Sequence, residues 1–267
     1  MKKLLSAGLC LSMFLLAGCQ GQPQDTTLTI TDQAGREVTF EEPCQTAASG
    51  YYITTTIMIG LQQQDKLTGI EMKPETRPIY AKAAEEILDL PQLGNKKMFN
   101  VEECAKADPD VVFLPVSLES YVEELEALDI PVVLLEPETA DDFEEAVEII
   151  GKVMGCEDKV DEYKQYEEDL LEKYELDEVE EEPTVYFAGS DLLTCATDDM
   201  YQGEILSYAQ ADNAIDAEGS SWVNIDIETL LAANPDYVFI EAGSLSADDF
   251  KNDARVQELQ AVQNDHV

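Results

Sequence analysis

The chain has 267 residues, with 16 Lys and Arg against 57 Asp and Glu, and a formal net charge of −41. A surface this acidic repels phosphate and anionic headgroups, which excludes a nucleic-acid-binding role and adsorption to anionic lipid. Hydrophobic residues make up 45% of the sequence, enough to bury a core, which excludes a disordered acidic chain.

The first residues form a leader. Lys2 and Lys3 give a positive start, and Leu4 to Leu16 is an apolar run too short to span a bilayer comfortably. Leu16-Ala17-Gly18-Cys19 then places small residues ahead of a Cys, a pattern that resembles the bacterial lipobox. The resemblance implies a signal peptide over residues 1–18, lipidation of Cys19 and a polar tether over 19–27. Location is then extracytoplasmic, with the lipid as the sole membrane anchor.

Leu28–Thr31 and Val38–Phe40 alternate around Asp32-Gln33-Ala34-Gly35-Arg36, which predicts a β-hairpin turning at Gly35 and closed by Pro43. Ile53–Leu61 predicts a helix, Gly69-Ile70 a short strand, and Ala81–Leu88 a helix stopped before Pro91. Val101–Ala107 predicts a helix and Val111–Leu114 a buried strand. Tyr121–Leu128 sets Val122, Leu125 and Leu128 on one helical face, and Val132–Leu135 is another apolar strand. Alternation of this kind predicts an α/β lobe with a mostly parallel sheet.

Phe143, Val147 and Ile150 mark the next helix, loosened at Gly151 and Gly155. Val160, Tyr163, Glu167, Leu170 and Tyr174 keep helical spacing from Asp158 to Tyr174, roughly 25 Å of exposed connector. Glu178–Glu182 is a charged, solvated linker and Pro183 opens a second lobe.

Glu102–Leu114 and Glu228–Ile240 echo one another. Each is a short helix, an Asx-Pro-Asp stop (Asp108-Pro109-Asp110 and Asn234-Pro235-Asp236) and a four-residue apolar strand. The echo predicts two lobes of similar build, 28–155 and 183–267, joined by one long helix within 156–182. Cys44, Cys104, Cys156 and Cys195 are far apart with no C-x-x-C pair, so a zinc ribbon is unsupported. Cys104 and Cys156 read as buried thiols, and export permits a disulfide whose pairing stays open.

Taken in order, these pieces resemble the helical-backbone class of solute-binding proteins, which serve ABC importers of ferric siderophores, haem and cobalamin. The resemblance rests on Asp32-x-Ala34-Gly35-Arg36-x-Val38, both Asx-Pro-Asp turns and the single linking helix. It also rests on Met200-Tyr201-Gln202-Gly203-Glu204 with Asp212-Asn213, and on Ser221-Trp222-Val223-Asn224 before Ile225-Asp226-Ile227-Glu228. It covers Thr27 to Val267. Family members continue beyond the point matching Leu259–Val267 with a strand and helices, so an incomplete second lobe with an exposed sheet edge is expected.

The resemblance implies a ligand between the lobes, on loops that follow the strands. The candidates are Tyr51, Tyr52, Arg77, Tyr80, Phe99 and Ser117 from the first lobe and Ser190, Met200, Tyr201 and Trp222 from the second. Tyr and Trp offer flat apolar area with a polar tip, which suits a macrocycle or aromatic chelate. Lobe two beyond Pro183 has only Lys251 and Arg255 as cations, so a corrinoid or a weakly charged ferric chelate fits better than a polyanionic catecholate. His266 is the sole His and no calcium-loop pattern occurs, so no protein-held metal or cofactor is expected. The resemblance further implies a monomer that docks an ABC permease and its ATPase through one acid per lobe, with Glu85 or Glu86 in the first lobe and Glu204 in the second as candidates. Two other readings stand beside this one. A surface hydrolase needs a nucleophile, base and oxyanion donors that no motif here supplies. A sensor or binding module without a transporter differs only in its genetic neighbours.

Overall fold

The computed structural model describes residues 27–174, 181–217, 219, 221–241 and 245–267. The leader, Cys19 and the tether up to residue 26 lie outside the described residues, as does the start of the Glu178–Glu182 run.

Asp32 organises the opening hairpin of β1 (Leu28–Thr31) and β2 (Glu37–Phe40). Its buried carboxylate accepts from the N–H groups of Ala34 (3.1 Å), Arg36 (2.8 Å) and Leu134 (3.1 Å), which fastens the hairpin to the sheet behind it. Arg36 answers with ion pairs to Asp32 (3.3 Å) and Glu126 (2.6 Å).

The first lobe then runs β3 (Ala47–Ser49), α1 (Tyr52–Gly60), β4 (Leu67–Gly69), α2 (Pro78–Ala83) and a small hairpin of β5 (Gly94–Asn95) and β6 (Met98–Phe99). It continues with α3 (Val101–Ala107), β7 (Val111–Pro115), α4 (Val122–Glu126), β8 (Val132–Leu135) and α5 (Ala140–Met154). Its sheet is wholly parallel, in the order β4-β3-β7-β8. Every residue of β7 and β8 is buried, because helices cover both faces. Phe113, Val133 and Leu135 join one core layer, and Val112, Leu114, Val132 and Leu134 the other.

The structure departs from the sequence reading in three places here. The helix expected at Ala81–Leu88 begins earlier, with Pro78 at its first turn, and breaks at Ala84 (φ −157°, ψ 60°) into a 3-10 turn over Glu85–Asp89. The helix expected at Tyr121–Leu128 shrinks to α4, with a 3-10 stretch over Val116–Tyr121 before it. Gly151 does not loosen α5. It lies buried inside it, where a Cβ would stand 2.3 Å from Val160 Cγ2, so its bareness lets the next helix approach. Gly155 (φ 60°) is the left-handed cap that ends α5.

The linking helix α6 (Glu157–Lys173) packs on α5 through Val160, its one buried residue, and through the Lys164–Glu148 ion pair (2.7 Å). The second lobe follows as β9 (Thr184–Ala188), β10 (Thr194–Cys195), α7 (Tyr201–Tyr208), β11 (Asp212–Asn213), β12 (Val223–Asn224), α8 (Ile227–Ala233), β13 (Tyr237–Ile240), α9 (Ala247–Asn252) and α10 (Gln260–Gln263). β9 pairs parallel with β11 and β13 and antiparallel with β10, which pairs antiparallel with β12. This sheet is mixed because the link from β9 to β10 is too short for a crossover helix. On β13, Tyr237 and Phe239 are 38% and 46% exposed, and Val238 N–H donates to the carbonyl of His266 (2.9 Å).

The sequence echo is a structural one. α3 and α8 are each seven residues, capped by Asn100 and Asp226, and each ends on a left-handed residue, Asp108 (φ 51°) or Asn234 (φ 41°). The aspartate after each proline then clasps the start of the neighbouring strand. Asp110 accepts from the N–H groups of Gln45 and Thr46 (both 2.8 Å), and Asp236 accepts from Thr184 N–H (2.9 Å) and its hydroxyl (3.0 Å). The four described thiols, Cys44, Cys104, Cys156 and Cys195, are free and buried, and burial pushes Cys44 and Cys104 up to about 12.

For Asp110, burial works against the charge, but the Thr46 and Gln45 N–H groups and the Thr46 hydroxyl outweigh it and hold the carboxyl below its ordinary value. Its contribution is therefore complete above the unfolded carboxyl pKa and disappears as pH falls through the lower folded one. Urea denaturation is expected to show Asp110→Ala and Asp236→Ala each losing about 1 kcal/mol at neutral pH. The Asp110→Ala deficit should close below about pH 4.

Candidate functional site

The carboxyl ends of both sheets face each other, where α/β folds place ligands. Between them lies a cavity of about 230 Å³. Tyr52, Ile53 and Thr56 of α1 line it with Pro137 and Glu138 after β8 and Phe143 of α5. Tyr201 and Gln202 of α7, Trp222 before β12 and Glu241 after β13 complete it from the second lobe. Tyr201 N–H donates to the Glu138 carbonyl (3.3 Å) and its ring lies 5.5 Å from Phe143, so the lobes touch along one wall. A wider depression of about 660 Å³ lies at the opposite ends of the first sheet, around Glu41, Pro43 and Asp110, and has no Tyr or Trp in its lining.

The first-lobe wall is built from the inside outward. Glu71 is buried and accepts from the Tyr80 hydroxyl (2.7 Å) and the Thr55 hydroxyl (2.7 Å). Its charge draws in Arg77, whose Nε stands 3.3 Å from Glu71 Oε1. The guanidinium in turn lies 3.8 Å over the Tyr52 ring and fixes that ring at the cavity edge. Tyr51, buried beside it, donates to Glu138 Oε1 (2.6 Å), and Lys96 sits 3.5 Å from the same oxygen. Burial first, then the bond to Glu138, pushes the Tyr51 phenol up, and burial, Glu241 and Glu138 do the same for Tyr52. Both phenols therefore stay protonated and act as donors. Burial and then Glu138 also raise Glu136.

On the second lobe Trp222 lies flat against Gly189, where a Cβ would come within 2.5 Å of the indole, and 6.4 Å from Phe187. Gln202 contributes a buried Oε1 with no hydrogen-bond partner among the described residues.

Of the residues singled out in the sequence, Tyr52, Tyr201 and Trp222 meet in this cavity, and Tyr51 and Arg77 stand directly behind its wall. Tyr80 is corrected to a core support, since its ring is wholly buried with its hydroxyl on Glu71. Phe99 likewise packs inside the first lobe, edge-on to Tyr121 (6.0 Å), and Met200 is buried at the start of α7. Ser117 and Ser190 are exposed outside the cavity lining, Ser117 donating to the Lys96 carbonyl (3.0 Å). Glu85 is exposed on a 3-10 turn and Glu204 on α7. Glu71, Glu138, Phe143, Gln202 and Glu241 are not among the ligand residues expected from the sequence. The signal for Glu138 is its place in the loop three residues after β8 ends at Leu135.

Residues 48–267 match the family described as periplasmic binding protein. The chain belongs to that family. Membership makes it a solute-binding protein that works outside the cytoplasm. The structure is similar to molybdate-bound MolA of Haemophilus influenzae, at 21% identity and a TM-score of 0.78, over 90% of this chain and 82% of that one. It is also similar to Helicobacter pylori CeuE in a nickel–histidine complex (19% identity, TM-score 0.76, 90% and 80%). A third similar structure is the periplasmic haem-binding protein HutB of Vibrio cholerae (16%, 0.70, 83% and 88%). No curated protein matches the sequence.

Removing Glu71 strands Arg77 and two hydroxyls. Glu71→Ala is expected to cost about 3 kcal/mol in chemical denaturation. Tyr80→Phe removes one hydrogen bond and should cost about 1 kcal/mol.

Proposed function

We propose that this chain is the substrate-binding component of an ABC importer, capturing a metal chelate between its lobes and handing it to a permease driven by an ATPase. The observation that carries this reading is the aromatic cavity at the meeting carboxyl ends of the two sheets, walled by Tyr52 from one lobe and by Tyr201 and Trp222 from the other. Flat rings of this kind bind a ring-shaped or chelated guest by contact area, and the phenols donate to its oxygens. Among the described residues no three His, Cys, Asp or Glu side chains are grouped to hold a bare metal ion.

Charge narrows the guest. The two basic side chains beside the cavity already have carboxylates, Arg77 with Glu71 and Lys96 with Glu138, and Glu241 adds a further negative group. Among the described residues a polyanionic catecholate meets no uncommitted cation in that wall, so a corrinoid or a neutral ferric siderophore is favoured, with haem third. Lipidation at Cys19 would hold the monomer to the membrane, and Glu85 and Glu204 are proposed as contacts to the permease.

Titration of Trp222 fluorescence with cobinamide, cobalamin, haem, a ferric trihydroxamate and a ferric catecholate tests the reading. Quenching by a corrinoid or the trihydroxamate at about micromolar levels is expected, with Tyr52→Ala weakening it about tenfold. The reading fails when none of the five changes the emission or gives heat in calorimetry.

A further inference from the structure

Behind the cleft is a second cavity of about 300 Å³, at the seam of α5, α6 and α7. Phe143 and Tyr201 line both spaces, so one pair of rings 5.5 Å apart is the partition between them. The floor is apolar. Leu170 and Leu171 come from α6, and Ile205 and Tyr208 from α7. Leu171, Ile205 and Tyr208 are 40%, 44% and 56% exposed, a concentration of open apolar side chains that the rest of the second lobe does not need for packing.

The rim has the opposite character. Asp141 and Glu144 of α5, Glu167 of α6 and Glu204 of α7 border the cavity, and among the described residues no Lys or Arg lines it. Three helices thus bring like charges toward one apolar space. Lys164, the basic group that acts on Glu167, is bound to Glu148 at 2.7 Å. Burial and then Glu144 push the Glu167 carboxyl up, Lys164 opposes this, and Glu204 adds to it. Glu204 also pushes up the phenol of Tyr208, itself on the floor.

We propose that this seam cavity is a second binding site, for a small lipophilic organic cation with an ammonium head on an aryl or alkyl body. The volume lies at the lower end for small-molecule sites and admits a body of about ten heavy atoms. An ammonium among the carboxylates offsets the repulsion that the exposed Glu144 and Glu204 exert on the half-buried Glu167. The aromatic rings of Phe143, Tyr201 and Tyr208 favour the same charge. An anion is repelled by the rim, and a neutral guest leaves the repulsion in place. A hydrophilic cation forgoes the floor.

Calorimetric titration of the protein with 4-phenylbutylammonium, its isosteres 4-phenylbutanol and 4-phenylbutyrate, and spermidine tests the assignment. The ammonium is expected to bind one-to-one, the alcohol and spermidine at least about tenfold more weakly, and the carboxylate not at all. Glu167→Gln with Glu204→Gln should bring the ammonium down to the level of the alcohol. Leu171→Lys, a change at an exposed position, should abolish binding by placing its own ammonium over the rim, with far-UV dichroism and thermal midpoint confirming the fold of both variants. Equal affinity for ammonium and alcohol, spermidine binding as tightly, ammonium binding unchanged in Leu171→Lys, or no heat up to about 10 mM would each overturn it.

Discussion

The architecture depends on one carboxylate used twice. In each lobe a helix is ended by an Asx-Pro step, and the aspartate that follows clasps the first amides of the adjacent strand. Proline forbids the helix to continue, and the left-handed residue before it turns the chain back toward the sheet. The clasp therefore sets which strands are neighbours, β7 beside β3 and β13 beside β9, and where each pair begins. With its start pinned, each pair presents its carboxyl ends at one edge of its own lobe, and the cleft lies where the two edges meet.

Electrostatics inside the first-lobe wall run against the surface charge. The chain carries many more acids than bases, yet Arg77 and Lys96 are both drawn to the cleft wall, each by a carboxylate that is buried or half-buried. Glu71 fixes Arg77, Arg77 fixes Tyr52, and Tyr52 lines the cavity. A ring held on a guanidinium that is itself held by a buried acid has little freedom left to lose on binding, which favours affinity for whatever contacts it.

Much of the fold was legible because the signals were local. Val111–Leu114 and Val132–Leu135 are continuous apolar runs between breakers, and both are strands buried on both faces. The Asx-Pro-Asp echo was legible as two lobes, since a proline leaves few choices for its neighbours. What failed was extent. Leu128 continues a helical stripe on paper, but it is 50% exposed and Asp129 turns left-handed (φ 61°), so α4 is already over. The cleft was half legible. Tyr52, Tyr201 and Trp222 are large residues at the ends of elements, whereas Glu71, Glu138 and Glu241 are lost among 57 acids until the fold selects them. Tyr80 and Phe99 share the composition of a binding wall but not its exposure, a difference that only packing decides.

The sealed thiols have a practical meaning. Cys44, Cys104 and Cys156 lie in the first lobe and its link, and Cys195 in the second, all without a disulfide partner among the described residues and, for the first two, with almost no thiolate at neutral pH. An oxidant or alkylating reagent in the medium reacts with such a group only during the moments when its surroundings open. Each lobe thus carries its own chemical clock, and the order in which the four sulfurs are consumed would record which part of the molecule breathes first.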